Sequence, residues 1–560
     1  MKKKSLLVTL GCLVAFGLTA CGSKQPEING GTISENGQEA PQEIENPVEL
    51  EEVEPTQGED QGEVEEENIV LGDYAQLNIL PVGVEYFSYW DTYNDVYVNF
   101  SSPRFFVKDG AGTGQKRMEQ VFEELNNREA EYIAGEIEWY RDTIDNGYEA
   151  ERYYVESKVQ VLRADTIFSY VCRYQNAYMD EDTWTYSAYN YHTETGNEVL
   201  LQDWLKKDQA ENFANLVLDQ LQDLTEAQKA ATRDVIIQNA SGEEFDEYLN
   251  WALGDDGITV FVTPAVQKDE KAQLHIVFVP YQGNESVLSN MFYGTATGGN
   301  WMSPLFENVV YSGDYDGDGT LESLKVFAQE VDPENYRICP SVEYLGKDYK
   351  LTELGGYSYE AYINKQGDCS YLFVKSISDN DYAQMAIYKL TEDGLVQTEE
   401  VGNYSPAQIS CLYDEDMYTE AGHYAYDDIM FLTNIDSLCL SSRTDLISTI
   451  PGYKTYALTV DGTLETKDDR YTLGNQRMMQ AKCDIAATVV EDGSALVIPA
   501  GCPLLYIATN GMDLAFFYMP DPTGETEAIE VMVEVDATGW PIKIGGMELE
   551  EVLEGVFFAG

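Results

Sequence analysis

Basic side chains are scarce in this sequence. Lys and Arg number 34 against 99 Asp and Glu among 560 residues, so the formal net charge is −65. A surface this negative repels the phosphate backbone, which argues against a nucleic-acid partner. Apolar residues still make up 44% of the chain and 40 residues are tyrosine, a composition that argues against wholesale disorder. The length allows about three or four domains of ~100–200 residues each.

Residues that commonly carry catalysis are also few. The histidines are His192, His275 and His423, and neither a GxSxG nor an HExxH motif occurs. A catalytic triad or a histidine-rich metal site would have to be built from these three residues. Carboxylates are so abundant that no pair stands out as the acid and base of a glycosidase. The sequence therefore predicts a protein that is not an enzyme.

Cysteine spacing argues against two further kinds of site. No two of the nine cysteines are spaced as CxxC, so neither a zinc ribbon nor a thioredoxin-type site is supported. Seven cysteines follow Cys21, and because seven is odd, at least one thiol is unpaired. The favoured interpretation is that these cysteines are small buried apolar side chains. One or two disulfides in the C-terminal half are the alternative. These cysteines are Cys172, Cys339, Cys369, Cys411, Cys439, Cys483 and Cys502.

The apolar run near the N-terminus is too short to span a bilayer. It extends from Leu6 to Leu18, whereas a spanning helix needs about 20 residues. Because it follows Lys2, Lys3 and Lys4, residues 1–20 are predicted to be a signal peptide. Residues 18–21, Leu-Thr-Ala-Cys, resemble the bacterial lipobox, in which the cysteine is acylated after cleavage. The alternative is an ordinary signal peptide with a chance cysteine.

The lipobox resemblance implies a lipid anchor. Cys21 would be the lipidation site, carrying palmitate-type chains, and a multiply acylated cysteine anchors a protein stably. The implied location is the extracellular face of the bacterial cytoplasmic membrane, with membrane contact through the anchor only. Residues 22–70 contain 15 acidic residues, one lysine and no aromatic. Such a stretch cannot bury enough apolar surface to fold, so residues 21–70 are predicted to be an acidic disordered tether; an acidic binding tail is the alternative.

Helical and strand patterns alternate between residues 71 and 295. Apolar residues recur in steps of three and four from 115 to 140, which predicts a long amphipathic helix. A second such helix is predicted around Phe213, Leu216, Val217 and Leu221. Helices inserted among antiparallel strands predict an α+β fold. The predicted strands cover 91–106, 153–162 paired with 166–171, 186–191, and a hairpin of 258–262 with 274–279.

Three stretches of this region carry a family resemblance: 161–169, 190–204, and 251–261, the third ending at Val279-Pro280-Tyr281. They resemble the extracellular module shared by the lysozyme-sensing anti-sigma factor V (RsiV) and the N-terminal part of the peptidoglycan deacetylase PdaC. The resemblance implies an RsiV/PdaC-like module of two subdomains over 71–295, split near 185, that binds at the cell wall. A lipid anchor replaces the anti-sigma factor's membrane helix here, and too few histidines follow for a deacetylase domain.

Residues 313–322 contain the sharpest local motif, a DxDxDG loop. Alternate aspartates followed by glycine at the sixth position are typical of calcium loops. Position 12 is Lys325 rather than the glutamate of an EF-hand, and the flanks are predicted strands, as in integrin-type propeller loops. The motif predicts a structural Ca²⁺ site; a solvated Asp-Gly hairpin is the alternative. The predicted metal ligands are Asp314, Asp316, Asp318, Thr320 through its carbonyl, and Glu322.

The C-terminal half is predicted to be all β. Short strands and Asp-Gly turns recur over 300–475, which favours a β-rich region containing the calcium loop. Five short strands between 485 and 535 predict a small SH3-like β-barrel over 480–560.

Together these features predict a non-catalytic, lipid-anchored binding or sensing protein at the cell wall. Its partner would be a peptidoglycan-related glycan or a cationic protein such as lysozyme, because an acidic surface attracts cations. Two alternatives stay open: a cell-wall hydrolase or deacetylase accessory protein, and a scaffold for protein assembly. Turnover of labelled wall material would distinguish the hydrolase from the binding protein.

Overall fold

The computed structural model describes most of the chain beyond residue 74. The described residues are 75–77, 82–93, 96–107, 113–147, 152–178, 181–241, 249–263, 274–289, 294–296, 300–332, 337–378, 383–402, 405–406, 423–424, 438–444, 446–447, 449–466, 468–520 and 527–558. Cys21, Cys411, the predicted signal peptide and the predicted tether lie outside them. The described residues up to Pro520 and from Ala528 onward belong to one compact unit.

Helices are few and lie mainly in the N-terminal half. They are α1 (Thr113–Asp145), α2 (Leu201–Trp204), α3 (Ala210–Leu218), α4 (Glu226–Ala240) and α5 (Leu549–Val552), with a 3₁₀ turn at Thr352–Leu354.

Strands dominate the rest of the described chain. In order they are β1 (Ala75–Leu77), β2 (Val82–Tyr93), β3 (Val96–Val107), β4 (Arg152–Ala164), β5 (Ile167–Tyr178), β6 (Glu181–His192), β7 (Leu249–Leu253), β8 (Gly257–Val262), β9 (His275–Pro280), β10 (Gly294–Ala296), β11 (Asn300–Leu305), β12 (Val310–Gly313), β13 (Glu322–Asp332), β14 (Arg337–Tyr344), β15 (Lys347–Lys350), β16 (Ser358–Gln366), β17 (Cys369–Ile377), β18 (Ala383–Thr391), β19 (Gly394–Gly402), β20 (Ser405–Pro406), β21 (His423–Tyr424), β22 (Leu438–Thr444), β23 (Ile450–Leu458), β24 (Leu464–Thr466), β25 (Tyr471–Ala481), β26 (Ile485–Val489), β27 (Ala495–Ile498), β28 (Pro503–Thr509), β29 (Asp513–Tyr518), β30 (Ile529–Glu534), β31 (Lys543–Ile544), β32 (Met547–Glu548) and β33 (Leu553–Glu554).

A six-stranded sheet, ordered β21-β2-β3-β4-β5-β6, supports the long helix α1. The predicted helix and the predicted antiparallel pairing of β4 with β5 are confirmed. The helix buries Met118, Phe122 and Leu125 in a core shared with Phe105 of β3. Tyr132 is 37% exposed, since the neighbouring Ile133 takes the buried position of that turn.

The segment between residues 200 and 288 packs its own core. Phe213 and Val217 of α3 are buried against the three-stranded sheet β7-β8-β9, as the periodic pattern predicts. The hairpin of β8 and β9 is also confirmed. Helix α4 was not predicted, because only Thr232, Ile236 and Ala240 are buried and most of its surface is polar.

Two further sheets contribute to another apolar cluster of the core. They are the five-stranded sheet β11-β16-β17-β18-β19 and the four-stranded sheet β12-β13-β14-β15. Leu162 and Val171 from the six-stranded sheet join Leu324 and Leu372 in this cluster. The cluster therefore draws residues from both sides of position 300.

All five strands predicted between 485 and 535 are present as β26 to β30. They join β20, β22, β23 and β25 in an eleven-stranded sheet, to which β24 and β33 add at the sides. None of the sheets formed by the described residues is closed. The structure is thus mostly β, with a small helical part toward the N-terminus, and the SH3-like barrel is not shown.

Candidate metal centre

The DxDxDG loop is held by a β-hairpin. Strands β12 and β13 pair antiparallel, with Gly313 opposite Glu322 and Tyr311 opposite Leu324. The prediction that strands flank the loop is therefore confirmed. The last pair of the ladder delivers Glu322 to the base of the loop 314–321, so its carboxylate meets aspartates six and eight residues earlier in the chain.

Three predicted ligands come together at this point. One carboxylate oxygen from each of Asp314, Asp316 and Glu322 lies within 4.8 Å of the other two. Carboxylate oxygens are the ligands that hard cations such as Ca²⁺ and Mg²⁺ prefer. The cluster could hold a metal ion, and neither the cluster nor its surroundings specify which one.

Asp318 and Thr320 lie outside this three-residue cluster. Both are exposed, and Asp318 Oδ1 accepts a hydrogen bond from Thr320 N at 2.7 Å. Two similar bonds shape the loop: Gly317 N donates to Asp314 Oδ1 at 2.8 Å and Asp318 N to Asp316 Oδ1 at 3.1 Å. The loop is thus bent by its own aspartates, and ligation by Asp318 and Thr320 stays a prediction.

Glu322 is the most buried member of the cluster, with 7% of its surface exposed. Tyr315 N donates to Glu322 Oε2 at 2.8 Å. Burial raises the pKa of Glu322 to about 7, and the neighbouring Asp316, Asp314 and Asp318 charges act in the same direction. A cation among these carboxylates would reverse this repulsion and favour the ionised form.

Glycine is required at Gly317 for two reasons. Its φ is +84°, and a Cβ there would lie 2.6 Å from the backbone oxygen of Asp368. Gly319 has a similar φ of +88° with open space around it. Because Gly317 has no side chain, the loop can lie against the turn between β16 and β17 at this position.

Lys365 is a neighbour of the loop that no sequence pattern predicts. Its ammonium donates a hydrogen bond to the backbone carbonyl of Asp314, from a side chain only 8% exposed. Burial lowers the pKa of Lys365, and the Asp314 charge opposes that effect. Since 51 residues separate the two, no local pattern could have paired them.

A buried ionic cluster lies within electrostatic range of Lys365. Arg163 Nε donates to both oxygens of Asp165, at 2.9 and 2.7 Å, and both side chains are fully buried. Burial raises the pKa of Asp255 to about 8, while the charges of Arg163 and Lys365 oppose the shift. Two stretches that carry the family resemblance, 161–169 and 251–261, thus meet beside the DxDxDG loop of residues 314–321, the metal loop.

Cys172, Cys339, Cys369, Cys483 and Cys502 carry free thiols. No helix within the described ranges combines the length and the apolar character needed to cross a membrane.

No protein-family model matches the chain, and no curated protein matches it. Its structural neighbours include two proteins of the DUF3298 family. One, from Bacteroides fragilis, is 14% identical with a TM-score of 0.28, over 38% of this chain and 96% of that one. The other, from Pseudomonas aeruginosa, is 15% identical with a TM-score of 0.25, over 38% and 97%. The resemblance to the RsiV/PdaC module stays a prediction.

Proposed function

We propose that this protein is a lipid-anchored, non-catalytic binding protein on the outer face of the bacterial cytoplasmic membrane. Cys21 carries the anchor, residues 21–70 form the tether, and the folded part binds at the cell wall. The observation that carries the proposal is the charge: 99 acidic against 34 basic residues favour a cationic partner. A cationic wall-active protein such as lysozyme is the favoured ligand, with a peptidoglycan-related glycan as the second.

The proposed location follows from the lipobox, and the proposed ligand class from the resemblance of residues 71–295 to the RsiV/PdaC module. The two subdomains split near 185 and the SH3-like unit over 480–560 stay predictions.

We propose that the metal ion bound by the DxDxDG loop is calcium. The loop offers three clustered carboxylates, and Asp318 and the Thr320 carbonyl are near enough in sequence to complete the larger oxygen shell that Ca²⁺ takes. Calorimetric titration of EDTA-treated protein should give a tighter dissociation constant for CaCl₂ than for MgCl₂. Equal affinity for both ions, or none for either, would contradict this assignment.

Co-sedimentation with purified cell wall tests the function directly. The protein is mixed with wall alone, with wall plus native lysozyme, and with wall plus lysozyme whose lysines are succinylated. Pelleting only with native lysozyme supports sensing of a cationic protein, whereas pelleting with wall alone supports glycan binding. If the protein stays in the supernatant throughout, the proposal is wrong.

One observation favours a second candidate, a wall hydrolase. Burial raises the pKa of Asp256 to about 6, with the Glu285 charge adding to the effect, and a carboxyl with a raised pKa suits a general acid. Release of soluble fragments from dye-labelled wall, abolished by Asp256→Asn, would support it. No release above that of the variant would leave the binding protein as the sole proposal.

A further inference from the structure

A small cavity lies between the six-stranded and five-stranded sheets, apart from the metal loop. Its volume is about 60 Å³, and residues from β4, β5, β11 and β16 and the segment after β11 form its wall. At ~10–15 Å³ for each water, this is room for about four waters or one small polar group. Tyr359 and Glu360 in the wall are only half-buried, so the cavity reaches the protein surface.

Paired charges form much of the polar part of this wall. Lys158 Nζ lies 3.3 Å from Glu360 Oε1, and Lys375 Nζ lies 3.1 Å from Glu360 Oε2. Arg173 also lines the cavity, with its guanidinium carbon 4.8 Å from the centroid of the Phe306 ring. Two cationic side chains, Lys158 and Arg173, thus line the cavity together with Glu360 and Glu307. Lys375 does not line it but pairs with Glu360, so this group of side chains carries three cations and two carboxylates in a chain whose overall charge is −65.

Both carboxylates already have partners. Besides the two lysines, Tyr362 donates its hydroxyl hydrogen to Glu360 Oε2 at 3.1 Å. Burial raises the pKa of Glu360, but the adjacent Lys158 and Lys375 charges outweigh it and lower the pKa overall, so the group stays ionised. Glu307 Oε1 accepts a hydrogen bond from Ala328 N at 3.2 Å. The wall therefore offers donors to a ligand more readily than acceptors.

The Tyr359 hydroxyl is the second observation that indicates a ligand. It is buried and makes no hydrogen bond to any residue that the structure describes. A buried hydroxyl without a partner is costly, whereas a hydroxyl that donates to a bound group is not. Phe306 and Leu305 add an apolar surface beside these donors.

We propose that this cavity binds a small carboxylate, with Tyr359, Lys158 and Arg173 recognising the anion and Phe306 contacting the carbon atoms next to it. The carboxylate is either a free short-chain acid or the C-terminal carboxylate of a short peptide. This site is independent of the wall-binding proposal, because it depends on neither the anchor nor the metal loop.

Titration of the full protein with matched small probes tests this inference. The probes are acetate, N-acetylalanine and N-acetylalanine amide, followed by calorimetry or by NMR. A carboxylate should bind with a dissociation constant of about 1 mM, and the neutral amide at least about tenfold more weakly, because the charged hydrogen bonds are lost. Acetate binding as tightly as N-acetylalanine identifies a free acid; N-acetylalanine binding alone identifies a peptide end.

Three variants separate binding from folding. Tyr359→Phe removes only the hydroxyl and should weaken carboxylate binding about five- to tenfold, without lowering the melting temperature of the ligand-free protein. Lys158→Gln should weaken it about tenfold or more. Tyr506→Phe, at a buried tyrosine in the eleven-stranded sheet, should leave binding unchanged. Equal binding of acid and amide, equal binding by wild type and Tyr359→Phe, or no binding would each overturn the inference.

Discussion

At the scale of single residues, the carboxylates of the metal loop repel one another, and a bound cation would offset this repulsion. Asp314, Asp316 and Glu322 bring three carboxylates within 4.8 Å, so an ion bound there should stabilise the folded state by mass action. We expect Ca²⁺ at a hundredfold excess over its dissociation constant to add about 2.7 kcal/mol to the free energy of unfolding. Asp316→Ala should abolish the gain, measured as the shift of melting temperature between EDTA and CaCl₂.

The control for this prediction is Asp492→Ala. Asp492 is also an aspartate of an exposed Asp-Gly turn, where its Oδ1 accepts a hydrogen bond from Ser494 N at 2.9 Å. This variant should keep the full response to Ca²⁺. A wild type that is indifferent to both Ca²⁺ and EDTA would show that the loop binds no ion.

Asp255 predicts a pH dependence of stability. Its pKa is raised in the folded state from 3.8 to about 8 by burial, so its contribution to stability is full below pH 3.8 and is lost as the pH rises toward 8. Asp255→Asn removes this loss. The free energy of unfolding of the variant minus that of the wild type should therefore increase steadily from pH 5 to pH 8 in urea titrations. A difference that stays constant over this range would contradict the assigned pKa.

At the scale of elements, the two glycines of the loop form a matched pair. Gly317 and Gly319 both have φ near +85°, but only a Cβ at Gly317 would collide with the backbone of Asp368. Gly319→Ala should cost about 1–2 kcal/mol from backbone strain alone. Gly317→Ala should cost more and also weaken metal binding, as measured by urea unfolding and by calorimetry. Equal costs would show that the close approach of loop and turn is not maintained.

Helix α1 offers a second test at this scale. Phe122 is 1% exposed and its ring centroid lies 5.5 Å from that of Phe105 and 5.0 Å from that of Phe168. Phe122→Ala should reduce the free energy of unfolding by about 3–5 kcal/mol. Tyr132→Ala, on the same helix but 37% exposed, should cost less than about 1 kcal/mol. Similar losses for both would mean that the helix does not pack as described.

Elements with a strong period were predictable, and weakly patterned ones were not. The repeat of apolar residues in α1 and the alternation in β4 and β5 follow directly from which face each element buries. Helix α4 lacks that signal, although Thr225 caps it: Thr225 Oγ1 accepts a hydrogen bond from Gln228 N at 3.3 Å. A polar helix that is stabilised by its cap and by a few buried residues shows little periodicity of apolar residues in its sequence.

At the scale of the whole molecule, the formal charge of −65 should oppose folding through self-repulsion. Monovalent salt screens charges separated by more than ~10 Å at 0.1 M. We therefore expect the melting temperature of EDTA-treated protein to rise as NaCl increases from about 20 to about 200 mM. The rise should persist in Asp316→Ala, because it does not depend on the metal loop. A falling or constant melting temperature would contradict it.

The sequence by itself determined those features that depend on residues close together in the chain. The acidic composition, the long helix, the successive hairpins and the three clustered carboxylates follow from local spacing and side-chain chemistry. Only the tertiary structure decided the contacts between distant segments: Lys365 on the Asp314 carbonyl, Asp255 near Arg163, and Tyr359 beside Lys158. The physical reason is that a strand specifies which face it buries but not which sheet it joins, so the polar groups that meet between sheets cannot be read from periodicity.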